Sequence, residues 1–253
     1  MDSISYRWID GTEREFVLVR VEGTGARPYT FGDPPQCISV SVPAFYISVV
    51  PITQALWIHI DGQENPAVHR GPGFPVENVS WDSLTQPGCF LQRLNESAVA
   101  EAMRKQVQHH VHFRLPSETE WEYAARGGPH WRDEYRYSGS NDIDAVAWYD
   151  RRHGDHTQPV ARKAPNQLGI YDMSGNVWEW CEDTFSRDVN VIPEDATPYR
   201  GAGAERVLRG GCFHNWAAHC TVSRRYEIAR EFHDGCIGFR VVLAEQPSAR
   251  LDA

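Results

Sequence analysis

Phe113-Arg114-Leu115-Pro116-Ser117-Glu118-Thr119-Glu120-Trp121-Glu122-Tyr123-Ala124-Ala125-Arg126-Gly127-Gly128 is the stretch that decides the fold. Ser117 and Glu120 have the spacing of a capping box, in which each side chain satisfies a backbone N–H left free in the first helical turn. A helix is therefore predicted after Pro116. It ends at Gly127-Gly128, where the chain needs a residue that tolerates the left-handed region.

Upstream, Glu15 to Val21 reads as a strand rich in β-branched residues, and 37–50 holds a second apolar run interrupted by Pro43. Thr53 is placed to cap a short helix through Ile60. Ser80-Trp81-Asp82 looks like another helix entry, Pro87 interrupts or restarts that helix, and Phe90, Leu91 and Leu94 share one face. Glu96 to Gln108 is polar and helix-permissive. His109, His110 and His112 have two readings, a metal cluster or the start of a half-solvated strand. Downstream of Gly128 the chain is turn-rich, with strands expected near 206–209 and 237–243.

The 253 residues carry no linker-like stretch, so one domain over 1–253 is expected. The net charge of −9 argues against a nucleic-acid surface, which would need basic clustering. No segment approaches the length of a membrane span, and none is expected to bind a membrane. The first twenty residues lack the basic start and apolar block of a signal peptide, which makes a cytoplasmic location the expectation. The six cysteines, Cys37, Cys89, Cys181, Cys212, Cys220 and Cys236, form no CxxC pair and are expected to be reduced thiols.

Four segments in order resemble the formylglycine-generating-enzyme, or sulfatase-modifying factor, family. They are 113–128, Pro165 to Trp180 (Pro-Asn-Gln-Leu-Gly-Ile-Tyr-Asp-Met-Ser-Gly-Asn-Val-Trp-Glu-Trp), Arg206-Val207-Leu208-Arg209-Gly210-Gly211 and Ile237-Gly238-Phe239-Arg240. Pro75 to Trp81 matches an upstream motif more loosely. The resemblance covers roughly 14–244. It implies an α+β, C-type-lectin-like fold, irregular and loop-rich, with Trp178 and Trp180 in the core. Arg209, Arg224, Arg225 and Arg240 are expected to be structural, pairing carboxylates or stacking on rings.

The resemblance also implies a structural calcium ion held by Asp172, Gly175, Val177 and Glu179. Two acidic side chains and two carbonyls suit a hard cation; the alternative is that both acids cap backbone N–H groups. Family enzymes oxidise a substrate cysteine with copper held by two thiolates, four and nine residues after the Gly-Gly pair. Here those positions are Asn215 and Cys220. An amide cannot replace a thiolate for Cu(I), so no copper and no oxidase catalysis are expected. Cys212 follows Gly211 directly and is not expected to take the missing position. A Cys220 centre with His214, His219 and His233 is the variant that would rescue a divergent metal-dependent oxidase.

Between its flanking motifs, 212–236 is dense in Phe, His, Trp, Tyr, Cys and Asp and holds no lysine. Such a mixture resembles a recognition surface. It also resembles the variable proteins of diversity-generating retroelements, which diversify a segment placed between Arg-Gly-Gly and Gly-Phe-Arg motifs by substitution at adenines. Phe213, His214, Asn215, His219, Tyr226, Ile228, Phe232, His233, Asp234, Gly235 and Cys236 fall in the set reachable that way; Trp216, Glu227 and Glu231 do not. Ordinary drift in a non-catalytic family member is the competing explanation. The candidate ligand-binding residues are Phe213, His214, Asn215, Trp216, His219, Tyr226, Glu227, Phe232 and His233, and the expected partner is a protein or small-molecule ligand.

Overall fold

The helix predicted after Pro116 forms, and the strands pack around it. The computed structural model describes residues 2–245 apart from Gln63, Gln108, His109 and His153. Its strands are β1 (Ser3–Ile9), β2 (Glu13–Val21), β3 (Tyr29–Asp33), β4 (Gln36–Val40), β5 (Phe45–Ser48), β6 (Val111–Arg114), β7 (Trp178–Thr184), β8 (Glu205–Arg209), β9 (Arg225–Ala229), β10 (Ile237–Gly238) and β11 (Val242–Glu245). Its α-helices are α1 (Gln54–Asp61), α2 (Trp81–Thr85), α3 (Phe90–Glu96), α4 (Ala98–Val107), α5 (Glu118–Ala125) and α6 (Ile143–Val146). One sheet runs β1-β2-β5-β11-β6, a second β10-β7-β8-β9, and β3 pairs with β4.

Local chemistry explains the helix starts. Thr53 accepts a bond from the Leu56 N–H, Ser80 and Ser83 form a capping box, and Ser117 and Glu120 form the second. Pro87 separates α2 from α3, whose Phe90, Leu91 and Leu94 are buried. Phe90 stacks on Trp57 at 4.6 Å and meets Phe239 edge-on at 5.3 Å. His112 lies on β6, as the strand reading expects, whereas His109 lies outside the described residues.

Every residue of α5 is buried, although three of its eight are glutamates. Arg209 on β8 answers two of them, at 2.7 Å to both Glu118 and Glu122. Arg225 adds a two-bond fork to Glu118, and Tyr29 and Arg126 complete Glu122. Carboxylates so deep in the protein persist only because each is paired and hydrogen-bonded. This network fixes α5 against the second sheet.

The sequence reading of 237–243 as one strand needs correction. Two short strands in different sheets occupy it, and Arg240 sits between them with its side chain fully buried. Arg224 is also corrected: it is exposed, unlike Arg209, Arg225 and Arg240.

Candidate functional site: the 212–236 face and its thiol cluster

Two glycines set where the variable-looking segment begins. Gly211 has φ +74°, and a Cβ there would stand 2.7 Å from the Cys220 sulfur. Gly175 has φ +79°, its N–H donates to the Gly210 carbonyl, and a Cβ would stand 2.2 Å from the Trp148 carbonyl oxygen. Only glycine fits such positions. From Gly211 the chain runs along the start of β7, where the Phe213 N–H donates to the Asn176 carbonyl. It returns at Cys236, whose carbonyl accepts from the Trp178 N–H. Phe213 and Cys236, from the two ends of the segment, therefore flank the short stretch 176–178 that leads into β7.

Among the described residues, the exposed Phe, Trp and Tyr side chains are Trp216 (71%), Tyr226 (39%) and Phe232 (42%). All three lie in 212–236. Tyr226 leans its ring on Trp178 at 5.3 Å. His233 is exposed and its Nδ1 lies 2.8 Å from the Asn78 side-chain oxygen. His214, Asn215, His219 and Glu227 are half-buried.

Phe213 corrects the sequence reading. It is buried in the main core, edge-on to His69, and presents no ring to solvent. Its N–H donates to the Asn176 carbonyl and its own carbonyl accepts from the Arg151 N–H, so tertiary backbone bonds hold Phe213 inside the fold, whatever its composition suggests.

A cleft of about 1150 Å³ adjoins the face. Thr221, Ser223 and Arg224 form part of its wall, with Arg136 and Arg187 from other loops. On a chain of net charge −9, this is a basic recess.

Asn215 stands at the position where the family's first copper thiolate would lie. Its side-chain oxygen accepts from the Cys212 N–H and from the Cys212 thiol, both at 3.1 Å. Cys220 is fully buried, and burial pushes its thiol up. A Cys220 centre with His214, His219 and His233 is not assembled among the described residues. His214 instead joins Cys212 and Cys236, the ligand atoms of all three lying within 4.8 Å of one another. Burial opposes ionisation of Cys212, but hydrogen bonds from Cys236 and His214 and the charge of His214 outweigh it and lower the thiol below its ordinary value. The same contact with Cys212 raises His214 and Cys236. Sequence reasoning missed this trio because Cys212 and Cys236 are far apart in the chain; the signal was that each directly adjoins a motif that runs beside β7.

Of the four residues implied for calcium, both acidic ones are buried and hydrogen-bonded within the protein. Glu179 is fully buried, and its carboxylate takes Arg240 Nε and the Trp121 indole N–H on one oxygen and a second Arg240 nitrogen on the other. Asp172 accepts from the Ala161 N–H, and burial raises its carboxyl to about 6. Arg240 already neutralises Glu179, which leaves one carboxylate for a dication in a buried setting. That donor set does not fit calcium.

Comparison with known proteins gives a consistent picture. The chain is similar to Treponema denticola variable protein 1, with a TM-score of 0.77 and 28% identity over 94% of this chain and 98% of that one. It is 32% identical over 211 residues to the formylglycine-generating enzyme of Streptomyces coelicolor, covering 76% of this chain and 59% of that protein. It is 32% identical over 185 residues to chaperone protein LppX of Paenibacillus barcinonensis, covering 58% and 65%. The chain thus spans less than two thirds of the length of these curated relatives. The α+β architecture is that of formylglycine-generating-enzyme-like, C-type-lectin-like structures. A model of the sulfatase-modifying factor enzyme 1-like domain matches residues 12–245, and the chain belongs to that family.

Proposed function

We propose that this chain is a non-enzymatic binding protein that displays 212–236 to a protein or small-molecule ligand. The observation that carries the reading is the confinement of the exposed aromatic side chains, Trp216, Tyr226 and Phe232, to that one segment. Exposed rings held by a rigid frame give contact area at low entropic cost and commonly dominate binding energy. The frame here is the buried network of α5, β7 and β8. Likeness to a variable protein across nearly the whole of both chains supports the reading. So does Asn215, which replaces a copper thiolate of the family and is bonded to Cys212. Calcium has no part in this proposal, since Arg240 already holds Glu179.

The finer reading is that retroelement-driven substitution diversifies the segment. The DNA flanking the gene tests it. A near-copy of codons 206–243 that differs almost only at adenines is the expected result. Without such a copy the segment is a fixed binding surface, and the retroelement reading falls.

A further inference from the structure

We propose that Cys212, His214 and Cys236 form a zinc site on the edge of the display segment, with a fourth coordination position open to water or to a donor atom of a bound partner. The ligand atoms converge from two places that the fold itself fixes. Cys212 follows Gly210-Gly211 at the end of β8, and Cys236 immediately precedes β10, so the backbone bonds on either side of β7 hold both sulfurs in place. His214 is delivered by the bend whose Asn215 N–H donates to the Cys212 carbonyl.

The geometry is nearly that of a loaded site. Zn–S bonds of about 2.3 Å in a tetrahedron put two sulfurs about 3.8 Å apart. The three ligand atoms lie within 4.8 Å of one another without a metal, so closing around zinc requires movements of about 1 Å or less. Both cysteines are buried while His214 is half-exposed, which gives the site a dry wall and an entry side. Two thiolates and an imidazole are the donors of a soft or borderline cation, and three protein ligands are the mark of a zinc site that accepts a further ligand. The charge balances: one dication binds, both sulfurs bind as thiolates, His214 binds through a neutral ring nitrogen, and two protons leave to solvent. Asp234 supports the loop, its Oδ1 accepting from the Cys236 N–H at 3.0 Å.

The site is distinct from the thiolate pair of the family's oxidases. Those positions are Asn215 and Cys220 here, and neither is in the trio. It also stands apart from the display reading, since a failed metal titration leaves the exposed rings where they are.

Cobalt(II) titration of the full-length, metal-free, reduced protein tests the proposal. The expected result is one equivalent bound, with thiolate-to-cobalt charge-transfer absorbance and the visible bands of a tetrahedral ion, displaced by zinc. Cys212→Ser, Cys236→Ser and His214→Ala should each weaken binding by more than about tenfold, because losing even an outer-shell partner costs about 10–100-fold. Cys220→Ser should bind as the wild type does. The wild-type protein gives an answer independent of variant folding: loaded with zinc and dialysed, it should retain one equivalent by elemental analysis. A folded wild type that shows no tetrahedral cobalt spectrum, or binding that depends on Cys220 instead, overturns the proposal.

Discussion

Arg240 and Glu179 face each other with no solvent exposure on either side chain, joined by bonds of 2.6 and 2.8 Å. The pair couples the Gly-Phe-Arg motif at the end of the chain to the Trp-Glu-Trp motif of β7. Arg240 also donates to the carbonyls of Ser48 and Tyr171, so one guanidinium gathers three segments. Removing one partner leaves an uncompensated buried charge, which costs about 3–5 kcal/mol. Glu179→Gln and Arg240→Met should each lower the melting temperature, by roughly 2–4 °C per kcal/mol for a chain of this size. A loss of under about 1 kcal/mol in both variants, measured by urea unfolding, would show that the pair is not holding the motifs together.

Two aromatic residues three positions apart should behave in opposite ways. Phe213 is in the core and Trp216 is 71% exposed. Phe213→Ala should cost about 3–5 kcal/mol of stability through the lost burial and the cavity left behind. Trp216→Ala should change stability by no more than about 0.5 kcal/mol, yet weaken binding of a partner captured by the wild-type face by more than about 1 kcal/mol. Unchanged affinity in both Trp216→Ala and Phe232→Ala would remove the face from the binding assignment.

Much of this division was readable in the sequence, and the reasons it stopped are physical. Capping boxes are local, so α5 and the entry to α2 could be placed from Ser117, Glu120 and Ser80 alone. β2 announced itself through its β-branched run. β7 and β9 did not, because Trp178-Glu179-Trp180 and Arg225-Tyr226-Glu227 owe their strand form to pairing with β8 rather than to alternation. The same limit governed the site. Exposure of Trp216 and Tyr226 followed from composition, but the burial of Phe213 and the meeting of Cys212 with Cys236 depend on which chain segments flank β7, and that is a tertiary fact.

Glu77 gives a pH dependence with a definite sign. It is fully buried in the Val76–Val79 stretch; one carboxylate oxygen accepts from the His69 N–H at 2.9 Å, and the other finds no hydrogen bond among the described residues. Burial raises its carboxyl from 4.5 to about 7, against the lowering effect of the His69 bond. Between those values the folded protein keeps the proton while the unfolded chain releases it. The folded state then binds more protons, so this group makes stability fall as pH rises from 4.5 to about 7 and contributes no further slope above that. Urea midpoints across that window should decline in the wild type, and Glu77→Gln should flatten the decline. An unaltered slope in a folded Glu77→Gln protein would assign the pH dependence to other groups.

Calcium offers the last test, because the family resemblance and the local chemistry pull in different directions. Asp172, Gly175, Val177 and Glu179 have the family's ligand spacing, but Arg240 has taken both oxygens of Glu179 and the Trp121 indole shares one of them. A calcium ion would need six to eight oxygens and would have to draw Glu179 away from a fully buried guanidinium. Leaving Arg240 unpaired would cost about 3–5 kcal/mol, which must come out of the ion's binding energy. Millimolar calcium added to metal-free protein should therefore leave the melting temperature unchanged. In Arg240→Met the balance reverses: Glu179 loses its counter-charge, and calcium should then stabilise the variant through Asp172 and Glu179 together. A calcium-dependent rise in the wild type, abolished by Asp172→Asn, would instead show that the ion and Arg240 share the carboxylate.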